Sequence, residues 1–226
     1  MKRPTNMGTG LRIVCDKRPI IGITMGDAAG IGPEIVDKAL SSKEIFDICR
    51  PIVIGDVAVL AEAQKIAHTG LRIRPVERIS EAEFVHGIMD VLDLQAVELD
   101  ELKMGEPQAM AGKASFQYVE KATKLALKGE IQAIATAPIS KEALHLAGYN
   151  YPGHTEILAD LTRSREYAMM FVAGPLRVIL VTIHVSLREA CNLISREKVI
   201  TTIRLANQTL RKFGIADPRI AVAGLN

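Results

Sequence analysis

Two histidines in this chain, His154 and His184, stand thirty positions apart at or just beyond the ends of apolar runs. Each is followed within two residues by a hydroxyl side chain, Thr155 in the first case and Ser186 in the second. A neutral imidazole can ligate a divalent metal, and a protonated one can donate to an anion. A neighbouring hydroxyl adds a donor for an oxyanion or a phosphate oxygen. A metal ligand and an anion site on one scaffold are the equipment of an enzyme. In Gly153-His-Thr-Glu156, the glycine lets backbone approach a ligand and His154 and Thr155 supply two donors. The structural alternative is a glycine-led helix start capped by Thr155. His184 follows Arg177-Val-Ile-Leu-Val-Thr-Ile183, a pattern that places it at the carboxyl end of a strand. Ligands of α/β proteins bind at that edge. A lone structural histidine is the competing reading.

Two other segments could hold an anion. Gly26-Asp-Ala-Ala-Gly-Ile-Gly-Pro-Glu34 joins a strand to a helix, where free N–H groups and the helix dipole favour negative charge. Its glycines, at 26, 30 and 32, do not match the dinucleotide fingerprint. Asp27 is a weaker candidate there, with a helix N-cap as its alternative role. Thr136-Ala-Pro-Ile-Ser-Lys141 delivers a hydroxyl and an ammonium to the start of a helix, so Lys141 could meet a phosphate or carboxylate as a point charge. A solvated lysine is its alternative. His68, His86 and His145 fall in helix-end or loop contexts and read as surface.

The elements that must position these groups alternate between apolar runs and helical patterns, the signature of an α/β protein. Strands are expected over Pro19–Met25, Pro51–Gly55, Leu71–Val76, Ile88–Leu94 and Ile131–Thr136. Helices are expected over Pro33–Leu40, Val57–His68, Ala111–Lys128 and Lys141–Ala147, with Pro33 suited to a first helical turn. Further on, Ala168–Val172 and Arg177–Ile183 read as paired strands turned at Gly174-Pro175. Arg196–Phe213 reads as an amphipathic helix and Arg219–Gly224 as a final strand.

Composition narrows the class of function. Hydrophobic residues make up 48% and charged residues 24%, ordinary for a protein that builds a core. A net charge of +2 gives no electrostatic footprint for nucleic acid or an anionic membrane. Aromatics are only 4%, with no Trp, which argues against base-stacking platforms. Cys15, Cys49 and Cys191 are odd in number and far apart, which fits a reducing cytoplasm better than a disulfide framework. No apolar run is long enough to span a membrane. Residues 1–18 are basic without an apolar centre and read as a disordered leader rather than a signal peptide.

Five segments in order, Ile23–Glu34, Ala135–Lys141, Tyr151–Glu156, Thr182–Arg188 and Phe213–Asn226, together resemble the 4-hydroxythreonine-4-phosphate dehydrogenase family. The run from Ala135 to Glu156 is similar to the branch that acts on 4-phospho-threonate. Ala28 stands where the family usually has Pro. The resemblance implies an isocitrate/isopropylmalate-dehydrogenase-like fold of two α/β/α domains, here over residues 19–145 and 146–226, with a homodimer completing the site. It implies NAD-dependent oxidation of the C3 hydroxyl of a phosphorylated four-carbon hydroxy acid, followed by decarboxylation. A divalent metal (Zn, Mg, Mn or Co) would act as Lewis acid. Vitamin B6 biosynthesis, through 4-hydroxythreonine 4-phosphate, is the alternative within the family. Carried over, His154 and Thr155 match the substrate-binding pair and His184 the first metal histidine. The family continues beyond Gly-Leu-Asn with segments that carry the remaining metal histidines and much of the cofactor site. The resemblance therefore implies a C-terminally truncated chain lacking about a third of a two-domain enzyme. Little or no activity is expected of it, since a catalytic metal needs about three protein ligands; an inactive fragment is the alternative from another functional class.

Overall fold

A computed structural model describes residues 16–225, in two compact units that divide between Asn150 and Tyr151. The expected leader lies, through residue 15, outside the described residues.

The first unit runs β1 (Ile20–Thr24), α1 (Gly32–Leu40), α2 (Lys43–Ile48), β2 (Arg50–Gly55), α3 (Val57–Ala67), β3 (Arg72–Val76), β4 (Ile88–Asp93), α4 (Ala109–Leu127), β5 (Ala133–Thr136) and α5 (Lys141–Leu146). Its five strands form one parallel sheet in the order β3-β4-β2-β1-β5. Parallel strands covered on both faces are apolar at successive positions rather than alternating, and Ile52, Val53 and Ile54 of β2 are all fully buried. One core cluster runs from Met25 through Leu60 and Met89 to Tyr118. Helix α1 packs on α3, whereas α4 packs on β1, β2 and β5 and carries α5. The approach of α4 to α5 depends on Gly112, where a Cβ would lie 2.0 Å from the carbonyl oxygen of Ala143.

The second unit contains α6 (His154–Leu161), the antiparallel pair β6 (Met170–Ala173) and β7 (Leu176–Ile179), α7 (Leu187–Leu193) and α8 (Arg196–Lys212). Helix α8 buries Thr202, Ala206 and Leu210, one face at four-residue spacing. Ser195 caps it, accepting a hydrogen bond from the Lys198 N–H at 3.2 Å.

Three expectations need correction. The Arg177 strand stops at Ile179, because that residue pairs with Met170, the first residue of β6. Arg219–Gly224 is apolar but forms no strand; strands are defined by pairing, and among the described residues no ladder receives this segment. Helix α2, after Ser41-Ser42, lies where the sequence reading had no element.

Candidate functional site

In the first unit the carboxyl ends of β1 and β5 meet where the chain's course across the sheet reverses, the place where ligands bind open α/β sheets. The two ends are fastened: the Asp27 N–H donates to the Pro138 carbonyl at 2.9 Å, and the Ala137 N–H to the Thr24 carbonyl at 3.0 Å. Gly26 makes this closeness possible. Its φ is +79°, and a Cβ there would lie 2.3 Å from the Pro138 oxygen. The Ser115 hydroxyl, on α4, donates to the Gly26 carbonyl at 3.1 Å or to its own helix at Ala111.

Asp27 is not the N-cap of α1; that position belongs to Ile31, with no side-chain cap bond. The Asp27 carboxylate instead accepts from the Ala29 N–H at 2.9 Å, closing the turn locally. Burial raises its pKa above the usual carboxylate range, partly offset by that N–H. Lys141 is the first residue of α5 and is exposed, with no ion pair among the described residues. The hydroxyl delivered beside it, Ser140, is the helix N-cap and accepts from the Ala143 N–H at 3.1 Å.

A buried pair at the same sheet edge escaped the sequence reading. Asp56, immediately after β2, is 1% exposed and accepts hydrogen bonds from the Tyr118 hydroxyl and from the Ala96 N–H (2.6 Å) and Val97 N–H (3.3 Å). Burial pushes the Asp56 carboxyl up, against the pull of Tyr118 and the two amides. Burial, and then the nearby Asp56 charge, push the Tyr118 phenol up too. Asp93, ending β4, receives the Val57 N–H at 3.0 Å and so serves the start of α3. The available signal was an aspartate directly after the apolar run Pro51–Gly55 and another directly after Val91-Leu92.

In the second unit, Gly153 is the N-cap of α6, so Thr155 lies inside the helix and is not its cap. His154 is the first helical residue. Its Nε2 is buried with no hydrogen-bond partner among the described residues, and burial lowers its pKa below the ordinary histidine value. The imidazole is therefore neutral near pH 7 and keeps one nitrogen uncommitted. Around Gly153 there is room: a Cβ would meet only Glu156 Oε2, at 3.7 Å. The Tyr151 hydroxyl donates to Asp160, tying the entry of α6 to its last turn.

His184 is not at a strand end. It lies five residues beyond β7, exposed, in a left-handed turn with φ of +55°. Ser186 caps α7, accepting from the Glu189 N–H at 3.2 Å. Among the described residues no three His, Cys, Asp or Glu side chains converge as a metal site would require. No helix among them is long and apolar enough to cross a membrane.

The open parallel sheet, with its chain reversal and fastened strand ends, defines an α/β protein of the isocitrate/isopropylmalate-dehydrogenase-like class. Residues 47–226 match the family model described as pyridoxal phosphate biosynthetic protein PdxA, and the chain belongs to that family. A Clostridium botulinum protein provisionally named D-threonate 4-phosphate dehydrogenase is 46% identical over 211 residues, which cover 93% of this chain and 63% of the relative. A 4-hydroxythreonine-4-phosphate dehydrogenase crystal structure from Burkholderia phymatum superposes with a TM-score of 0.85 at 48% identity, covering 92% of this chain and 63% of that one. The corresponding enzyme of Klebsiella pneumoniae gives 0.87 at 41% identity, with coverage of 92% and 63%. This chain thus spans somewhat less than two thirds of the length of the proteins it matches.

Proposed function

We propose that the chain carries the substrate-binding part of an NAD-dependent, divalent-metal-dependent dehydrogenase that oxidises the C3 hydroxyl of 4-phospho-threonate, with decarboxylation following. Its two α/β domains are those expected over residues 19–145 and 146–226, with the boundary moved to Asn150–Tyr151 so that α5 stays whole, and a homodimer is its working form. The observation that carries this reading is His154: a half-buried, neutral imidazole at the start of α6 whose Nε2 is fully buried and unpartnered among the described residues, in a chain whose family is established. A buried polar atom without a partner costs about 1–3 kcal/mol, so a ligand that pairs with it recovers that energy on binding. Thr155, one residue on, supplies a hydroxyl donor, and the open space at Gly153 admits a ligand close to backbone. Lys141 and Asp27 are secondary candidates for the substrate's anionic and hydroxyl groups respectively.

For the metal, His184 is the one ligand proposed. An exposed imidazole in a turn, with no second and third ligand converging on it among the described residues, does not fit a closed site. The 46% identical relative named for D-threonate 4-phosphate favours phospho-threonate as substrate. The solved structures named for 4-hydroxythreonine 4-phosphate support the vitamin B6 substrate as the second reading.

Calorimetric titration of the 226-residue chain with each substrate tests this without requiring turnover. 4-Phospho-threonate should bind more tightly than 4-hydroxythreonine 4-phosphate, and His154→Ala with Thr155→Ala should weaken it by about tenfold or more, as expected when charge-assisted hydrogen bonds are lost. Equal affinity for both would remove the branch assignment. Unchanged affinity in the double variant would remove the site.

A further inference from the structure

The first unit contains a cavity of about 460 Å³ that the substrate site does not use. It lies between the turn at Ala28–Gly30, the first turn of α1, the middle of α3 and the loop at 99–104. That loop is clasped in place: the Gly105 N–H donates to the Ala29 carbonyl at 2.7 Å, and Gln108 braces it by accepting from the Lys103 N–H at 2.7 Å and donating to the Glu101 carbonyl at 2.9 Å. The volume falls in the range of sites that enclose small molecules.

The lining sets the chemistry of an occupant. Val59, Ala63, Ile66, Leu99, Leu102 and Met104 make its walls apolar. Ala28 and Gly30 on one side and Ala63 on the other present little side-chain bulk, which suits a flat body. Met104, 56% exposed, supplies a polarizable sulfur that packs well on an aromatic ring. The ionic groups are three carboxylates, Glu34, Glu62 and Asp100, against one ammonium, Lys65. Lys65 is already engaged, 2.7 Å from Glu62. Glu34 has only a long 3.9 Å contact to Lys38, and Asp100 has no ion pair among the described residues. Three carboxylates against one ammonium leave a charge of −2, which outweighs roughly half a positive charge at the α1 N-terminus, so the rim accepts hydrogen bonds and repels anions.

A phosphorylated or carboxylated molecule is wrong for this cavity. A flat, uncharged ring system bearing vicinal hydroxyls is right, because a carboxylate can accept from both hydroxyls of a diol. We propose that the cavity binds an unphosphorylated purine nucleoside, with its base on Met104 and the α3 wall and its ribose hydroxyls on Asp100 and Glu34. This site adjoins Asp27, a secondary candidate for the phosphorylated substrate, but none of the residues assigned to that substrate lines it.

The test is saturation-transfer NMR and calorimetry on the 226-residue chain, with adenosine and AMP as probes. Adenosine should bind, and AMP should bind about tenfold more weakly or worse, since its phosphate meets the acidic rim. Asp100→Asn and Met104→Ala should each weaken adenosine several-fold; both residues are exposed, so neither change threatens folding. Ala63→Leu, which fills the cavity, should abolish binding while circular dichroism stays unchanged. Three results would overturn the proposal: no adenosine binding by the folded chain, AMP binding as tightly as adenosine, or adenosine affinity unmoved by both exposed-site variants. Adenosine is also one half of NAD, so a further result, displacement of bound adenosine by NAD, would assign its binding to the cofactor and overturn the proposal, while none of these readouts involves turnover or the phosphorylated substrates.

Discussion

The two units spend their apolar residues differently. In the first, apolar side chains from β2, β3, β4 and several helices converge on one cluster, and even its charged residues are drawn in: Asp37, Asp56 and Asp90 are at most 2% exposed and hydrogen-bonded. In the second, Ile157, Ala206 and Leu210 are the buried hydrophobics, while Phe171, Val172, Leu176 and Leu187 are more than half exposed. Buried apolar area is what opposes the entropy of ordering the chain. The first unit is therefore over-determined, with many contacts fixing each element, and the second leaves its hairpin and helices with few. A proposed substrate-binding histidine on the sparsely packed unit fits the general pattern of binding groups carried by the less stable parts of a fold.

The sharpest way to break this contrast is a matched pair of truncations. Ile54→Ala should cost about 2–5 kcal/mol, whereas Phe171→Ala, at a side chain 54% exposed, should stay within about 0.5 kcal/mol. Urea unfolding of both variants decides it; comparable losses would mean that the second unit is held as firmly as the first.

Two glycines give the next comparison. Gly112→Ala drives a Cβ into backbone at Ala143 and should cost about 3 kcal/mol. Gly153→Ala meets only a carboxylate oxygen at 3.7 Å and should leave stability within about 0.5 kcal/mol while weakening 4-phospho-threonate. A stable Gly112→Ala protein with an unshifted melting curve would show that α4 and α5 are free to separate.

Tyr118→Phe removes one donor from a buried carboxylate, with an expected cost of about 1–3 kcal/mol. Asp56 is raised by burial, so the folded state holds its proton more tightly than the unfolded chain. The stability from this group is full below the unfolded carboxylate pKa and is lost as pH rises through the folded one. Without the Tyr118 donor the folded pKa rises further and that loss begins later, so the variant's deficit should shrink on acidification. A deficit that grows at low pH would contradict the hydrogen bond.

The smallest effect concerns His154. Burial lowers its pKa, so its contribution is present above the unfolded histidine value and lost as pH falls through the folded one. Stability of the wild-type chain should therefore decline below about pH 6.5 more steeply than that of His154→Leu. Parallel profiles would mean that the imidazole is not buried in solution.

Most of the sheet was legible because buried parallel strands advertise themselves as short continuous apolar runs. Pro51-Ile-Val-Ile-Gly55 needed no further information, and the helix expected at Ala111–Lys128 forms at Ala109–Leu127. Pairing is what such runs leave unstated. Arg219–Gly224 has the composition of a strand and no ladder, and Ile183 falls outside a strand because β6 is short. The candidate site divides in the same way. Residue types singled out His154, Thr155 and His184, but only coordinates disclose that one imidazole nitrogen is buried without a partner and that the other ring is exposed in a turn. The Asp56–Tyr118 pair joins residues 62 positions apart, beyond the reach of any local pattern.

The pairing of β1 with β5 sets a timetable for synthesis. Ile20 hydrogen-bonds Gln132 across 112 positions, so one edge of β1 waits for chain that has not yet been made. At roughly 5–20 residues per second that wait lasts on the order of 6 to 22 seconds. Throughout it a nascent apolar strand presents unpaired N–H and C=O groups to its surroundings. A ribosome paused before residue 133 would prolong this exposure and one paused just after β5 has emerged would end it, so translation speed through this stretch becomes a determinant of how much chain escapes aggregation.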